Sequence, residues 1–232
     1  MGFSELILEM VRPKTIDKLE VYVPKEGANG EEVESFYTKL FSTSGFSTAK
    51  DVYFGCELMD YWKIASKLRC QHAGLSIDEP EKLMNTFKDI LRKGLPNQHE
   101  KASIQLHGNL GFAQQSTEVF SNFVETVAEV SGIKIIKPDD LDSVEVEALK
   151  KLAFHATNRY TYENLHTLQI SRPELKRIYR LEQTVTERSG EKFFTLNFNG
   201  NEYILMICVE DLRSELWPSV KVSLVFMPRT IP

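Results

Sequence analysis

Three cysteines, Cys56, Cys70 and Cys208, are scattered through the 232 residues. Neither their number nor their spacing makes a disulfide framework or a zinc site, so they read as buried thiols of a reducing compartment, cytoplasmic or nuclear. No apolar run approaches the roughly 18 residues that a membrane span needs. The opening MGFSELILEMVRP has too short an apolar run for a signal peptide. Met1-Gly2 begins like a myristoylation site, but Leu6 stands where Ser or Thr is required. An excess of positive charge is missing too. The net charge of -5 argues against a constitutive nucleic-acid or membrane-surface binder, and leaves room only for a local basic patch.

Chemical signatures are equally sparse. The five histidines, His72, His99, His107, His155 and His166, form no i,i+4 pair that would suit a metal. The Gly-rich stretch His107 to Gly111 lacks the Lys-Ser/Thr pair of a phosphate loop and the full dinucleotide fingerprint. Gly74-Leu75-Ser76 lacks the second glycine of a nucleophile elbow. Cys70 falls on an apolar face, where a buried thiol is the plain reading. The acidic run Asp139, Asp140, Asp142, Glu145 and Glu147 is explained by helix initiation, because Asp142 and Glu145 have the spacing of a capping box. No catalytic residue, metal or cofactor is therefore expected.

What the chain does contain is a hydrophobic content of 42%, ample for a core, arranged in alternating short strands and amphipathic helices. The stretch Lys101 to Gly111 (KASIQLHGNLG) shows the pattern most clearly. Ile104 and Leu106 alternate with polar Ser103, Gln105 and His107, which predicts a half-buried strand. Gly108, Asn109 and Gly111 then read as a turn, followed by a helix from Ser116 to Val130. Upstream, Thr15 to Val23 and Thr48 to Glu57 read as strands. Glu31 to Phe41 and Glu81 to Leu91 carry helical stripes, Met59 to Lys67 a short helix, and Leu68 to Ala73 a further strand. Beyond Leu165 to Ile170 the texture changes to strands over Leu175 to Val185, Phe193 to Phe198, Tyr203 to Val209 and Val220 to Phe226. Turns at Ser189-Gly190 and Asn199-Gly200-Asn201 join them, and Pro218, Pro228 and Pro232 place the last strand at an edge or end of the sheet.

The strands share an apolar-x-x-apolar-x-apolar frame whose middle positions are Leu19, Val52, Leu68, Ile133 and Leu168, with Ile104 aligned to them, spaced irregularly by 16 to 36 residues. That frame predicts an irregular leucine-rich-repeat-like α/β solenoid of strand-helix units. It has a curved, mainly parallel sheet over residues 1–171 and a C-terminal antiparallel region over 172–232 packed on it. A doubly wound sheet is the alternative, but its strands would be apolar on both faces, and these alternate. The solvent-facing row of the solenoid sheet would carry Tyr22, Tyr53, Arg69, Gln71, Gln105, His107, Lys134 and Gln169, a mixed polar and aromatic set suited to a partner protein.

The segments LILEMVRPKTIDKLEVYV, TAKDVYF, LRCQHAGLSIDEPEKLMNTFKDIL and ASIQLH, closed by KFFTLNFNGNEYILMI, together resemble the F-box-associated FTH-type domains of nematodes over about two thirds of the chain. The resemblance rests on hydrophobic pattern. It implies a substrate- or partner-binding module without activity of its own, in a ubiquitin-ligase-type adaptor.

The remaining cluster is basic and aromatic: Arg159, Tyr160, Tyr162, Arg172, Lys176, Arg177, Tyr179 and Arg180. Such a composition suits single-stranded RNA, with rings stacking bases and guanidinium groups meeting phosphates, although Glu163, Glu174 and Glu182 dilute it. The sequence thus points to a non-enzymatic protein-interaction module, with nucleic-acid binding through Arg159, Tyr160, Arg172, Lys176, Arg177 and Arg180 as the alternative. The oligomeric state is left open.

Overall fold

A computed structural model describes residues 17–21, 30–42, 44–55, 61–111, 115–157, 185–213 and 219–229. The strands are β1 (Lys18–Val21), β2 (Asp51–Gly55), β3 (His72–Ser76), β4 (Ser103–Gly111), β5 (Lys134–Ile136), β6 (Val185–Phe198), β7 (Asn201–Arg213) and β8 (Ser219–Pro228). The helices are α1 (Gly30–Ser42), α2 (Ser44–Ser47), α3 (Tyr61–Ala65), α4 (Pro80–Lys93), α5 (Ser116–Ala128) and α6 (Ser143–Thr157).

All the strands join one eight-stranded sheet in the order β1-β2-β3-β4-β8-β7-β6-β5. The first four run parallel, each in register with the next, and β8 pairs antiparallel with β4 and opens an antiparallel half made of β7, β6 and β5. This overturns the solenoid. In a solenoid each unit packs only on the units next to it in sequence, whereas here the parallel run stops at β4, whose next neighbour is the distant, antiparallel β8.

One face of the sheet carries the main core. In α1, Val33, Tyr37, Leu40 and Phe41 are buried at helical spacing, with Glu31 and Glu32 in the first turn and Lys39 in the last, as the helix field favours. The Tyr37, Phe41 and Phe54 rings meet at 5.4 to 5.9 Å between centroids. The Tyr37 hydroxyl also donates to the Val21 carbonyl at 2.9 Å, tying α1 to β1. In α4, Pro80 opens the helix and Gly94 (φ 86°) closes it by donating its N–H to the Ile90 carbonyl. Between them, Phe87 touches Phe123 of α5 and Phe226 of β8 at 5.3 and 6.0 Å, joining two helices to the sheet. The inward row of the sheet under these helices includes Val52, Phe54, Ala73, Leu75, Ile104, Leu106, Leu224, Phe226, Leu205 and Phe194.

The opposite face is treated differently in its two halves. Over β6, β7 and β8, α6 buries Leu149 against a second apolar cluster containing Phe193, Ile204, Met206, Cys208, Val225 and Met227. The strand β8 is thus buried on both sides from Val220 to Met227. A strand covered on both faces reads as a near-continuous apolar run, and one covered on a single face alternates; β8 follows the first pattern apart from Lys221 and Ser223, both buried. That rule explains why β8 lies in the middle of the sheet, between β4 and β7, and not at the edge suggested by its flanking prolines.

Other expectations shift for equally local reasons. The third strand begins at His72, not Leu68, and it is Ala73 that lines up with Val52 and Ile104. Leu68 is fully buried but lies beyond α3, in the connection that leads to β3. Ile133 precedes β5, which pairs antiparallel with β6 and has no place in a parallel repeat. Gly108 to Gly111 form no turn: they extend β4 and pair with Ser219 to Val222 of β8. The glycine at 108 reflects close packing, since a Cβ there would come within 2.7 Å of the Ile77 carbonyl and of Leu83 Cδ2. Ser189-Gly190 is not a hairpin turn either. Strand β6 runs through it with a register shift, and a Cβ on Gly190 would meet the Phe120 ring at 2.7 Å. The Asn199-Gly200 turn does join β6 to β7, with φ of 51° and 83°, the backbone that a two-residue hairpin needs. The expected elements at Leu165–Ile170 and over most of Leu175–Val185, with Leu168, lie outside the described residues.

Candidate functional site

On the second face of the sheet, α6 packs on β8 and β4. A cleft of about 590 Å³ opens between the β2–β4 part of the sheet and the flank of α6. Its floor is the first row of the parallel strands, Asp51, His72 and Ser103, with Tyr53 one row further along. Its rim is Lys50, Gln71, His99 and Lys101 from the connections entering β2, β3 and β4, and its far wall is Val144, Ala148, Lys151 and Leu152 of α6 with Met227.

Strand pairing sets this geometry. The register aligns Asp51 with His72 and His72 with Ser103, and in-register parallel strands carry equivalent residues to the same face. The wall is set by a capping box: the Val144 N–H donates to Asp142 Oδ1 at 2.9 Å, and the Asp142 N–H donates to Glu145 Oε2 at 3.2 Å. Glu145, buried at 7% exposure, is also within 3.5 Å of the Arg229 guanidinium, which anchors the start of α6 to the end of β8. Val144 is left 70% exposed at the lip of the cleft.

Charge in the cleft is concentrated and mixed. Lys50, Lys101 and Lys151 face a single carboxylate, Asp51. His72 Nε2 lies 4.0 Å from Asp51 Oδ1, close enough for attraction but beyond a hydrogen bond. Burial holds the His72 imidazole below its ordinary pKa. Asp51 opposes this, and Lys50 and His99 reinforce it. The Tyr53 phenol is pushed up to about 12, by burial and then by Asp51 and Cys70. Its ring lies under the Lys18 ammonium at 5.5 Å, a cation over an aromatic face.

Among the described residues, the buried side-chain atoms with no hydrogen-bond partner within the protein are Asp51 Oδ1, His72 Nδ1, Gln105 Oε1 and His107 Nδ1. All four belong to this same face of β2, β3 and β4, two of them in the cleft. Deeper along β4, the Gln105 amide donates to the Ala153 carbonyl of α6 at 3.2 Å. His107, fully buried, has its pKa pushed down to about 4 by burial and Lys221, against the opposing pull of Asp78 and the Val222 backbone.

The row Asp51, His72, Ser103 has the residue types of a nucleophile triad but not its geometry. The acid and imidazole are not hydrogen-bonded, and Ser103 is only 3% exposed. Cys70 is no better a nucleophile, since burial pushes its thiol up to about 12, while the Asn97 amide donates to its sulfur at 3.3 Å. The cleft also sits at the amino ends of the parallel strands, whereas open α/β sheets take ligands at the carboxyl ends.

Of the residues expected to stand in solvent and face a partner, Tyr53, Gln105 and His107 share this face but are buried, because α6 and the neighbouring strands cover them, and Gln71 stands exposed at the rim. Arg69 lies in the exposed connection before β3, its Nε–H donating to Gln98 Oε1 at 3.0 Å. Lys134 is on β5, at the opposite edge of the sheet, and shares no surface with the others. Tyr22 and Gln169 lie outside the described residues, as do Arg159, Tyr160, Arg172, Lys176, Arg177 and Arg180. Missed by the sequence reading were Asp51, His72, Lys50, Lys101 and Lys151. The first two could have been found from the correct strand register, whereas Lys151 comes from a helix whose packing no local pattern announces. Among the described residues no group of three or more acidic, histidine or cysteine side chains is placed to hold a metal, and no helix is long and apolar enough to cross a membrane.

No protein-family model matches the chain, and no curated protein matches it significantly. Among solved structures, that of YER067W aligns over 67% of this chain and 92% of its own, at 8% identity and a TM-score of 0.21. A putative methyltransferase, BH2331 from Bacillus halodurans C-125, aligns over 98% of this chain and 99% of its own, at 9% identity and a TM-score of 0.26. Likenesses this faint bear on neither the fold nor the activity.

Proposed function

We propose that this chain is a recognition module without catalysis of its own, which receives a partner protein in the cleft between β2–β4 and α6. The observation that carries the reading is the sheet's uneven cover. Among the described residues, one face carries the main core, while on the other α6 covers β8 and its neighbours and leaves beside it a cleft with Tyr53 in a polar floor, an apolar wall and a polar rim. Such a blend is the composition of protein interfaces, where buried aromatic and apolar groups give affinity and the rim gives specificity. The distance between Asp51 and His72, the burial of Ser103 and the inert Cys70 thiol support binding over chemistry. Partner recognition in a ubiquitin-ligase-type adaptor, implied by the FTH-type resemblance, is one setting for such a module.

The test is affinity capture with the wild-type chain and a Val144→Arg variant in parallel, each with and without nuclease. Val144 is 70% exposed on α6 at the lip of the cleft, so arginine there obstructs the cleft without disturbing the core beneath. A protein held by the wild type, retained after nuclease and lost with the variant is the expected result. Equal capture by the variant, or loss on nuclease treatment, overturns the reading.

A further inference from the structure

We infer that the cleft takes an extended acidic segment of the partner, its carboxylates reaching Lys50, Lys101 and Lys151 while its backbone amides serve Asp51. The inference rests on the protein-recognition reading above and names the chemistry of what is recognised.

Two independent observations converge on it. The first is charge. The chain as a whole is acidic, at -5, yet three of its lysines meet around one cleft with a single carboxylate among them. All three are exposed, so their ammonium groups are available to a ligand, and a local positive field in an acidic protein selects an acidic partner at that point alone. The second is hydrogen bonding. Asp51 Oδ1 and His72 Nδ1 make no hydrogen bond within the protein, Asp51 Oδ1 standing 4.0 Å from His72 Nε2, and both side chains line the same cleft. A carboxylate such as Asp51 can only accept, so its partner must bring a donor. A bare phosphate or a dicarboxylate satisfies the lysines but is repelled by Asp51. A peptide satisfies both, because its main chain supplies N–H donors at regular intervals while acidic side chains project outward to the lysine rim. The apolar wall of Val144, Leu152 and Met227 adds contact for a residue between the acids. A nucleic-acid strand lacks that match, since its successive phosphates would pass Asp51.

Phage display of random dodecapeptides against the full chain tests this. The comparison is a variant carrying Lys50→Glu, Lys101→Glu and Lys151→Glu, checked for folding by circular dichroism, with Lys151→Gln as a milder second variant. Acidic peptides are expected to be enriched on the wild type. A fluorescein-labelled copy should bind about 30-fold more weakly to the triple variant and a few-fold more weakly to Lys151→Gln, and weaken as salt rises. Enrichment of neutral or basic peptides overturns the inference while leaving protein recognition intact. Failure to enrich any peptide overturns the recognition reading itself. A labelled twelve-residue oligouridine that binds the wild type and not the triple variant replaces the acidic peptide with nucleic acid.

Discussion

The phenol ring of Tyr53 lies over Gly74, its register partner on the adjacent parallel strand, in the space a side chain there would fill. A Cβ built on Gly74 would come 2.1 Å from Tyr53 Cδ1. Gly74 is thus the counterpart of the ring, which lines the cleft.

Gly74→Ala should therefore displace the Tyr53 ring and destabilise the protein by about 1–3 kcal/mol, as overpacking does. Urea denaturation of the single variants and of the double variant with Tyr53→Ala checks it. Once the ring is gone, most of the cost of Gly74→Ala is expected to disappear, and additive costs would show that the two positions do not compete for space.

His107 gives the protein a pH dependence of definite sign. Its folded pKa, about 4, lies below the ordinary value of 6.5, so between those values the unfolded chain binds the proton more readily. The contribution is fully present above pH 6.5 and is lost as pH falls toward 4, by up to roughly 3 kcal/mol. Chemical denaturation of the wild type and of His107→Gln at pH 7.5 and 4.5 isolates this contribution. The variant is expected to lose clearly less stability on acidification.

At the β6–β7 hairpin, Gly200 has φ 83° and nothing within 4 Å of the position a Cβ would take. The cost of Gly200→Ala is then a backbone cost alone, about 1 kcal/mol, with Gly200→Asn cheaper because asparagine tolerates this region. Melting temperatures that fall in the order glycine, asparagine, alanine are the expected outcome.

The cap of α6 can be weighed in the same way. Asp142→Ala leaves the Val144 N–H without its acceptor and is expected to cost about 1 kcal/mol. Because α6 forms the cleft wall, hydrogen exchange should rise first at Val146 and in the rest of the first turn, while amides of β7 stay protected.

Much of this architecture could be read from the chain, wherever one local rule governed. Helix α4 follows from Pro80 at its start, a stripe of Leu83, Phe87, Ile90 and Leu91, and Gly94 at its end. The Asn199-Gly200 hairpin and the Asp142 capping box follow from turn and cap chemistry. The strand β3 was misplaced because its sequence, HAGLS, is thin in large apolar groups. Gly74 is small because the Tyr53 ring fills the room, and a strand of such small residues has no pattern of its own. The stretch from Gly108 to Gly111 misled for a related reason, since glycine marks a turn and a close approach alike.

By itself, then, the sequence settled what depends on neighbours along the chain: which segments bury a stripe, where helices start and stop, and which dipeptide turns a hairpin. It carried no record of which strand lies beside which. The pairing of β4 with β8 joins segments more than a hundred residues apart, and it places the largely apolar β8 where both of its faces are covered. The same tertiary choice brought Lys151 of α6 opposite Asp51 and His72, and with them the cleft.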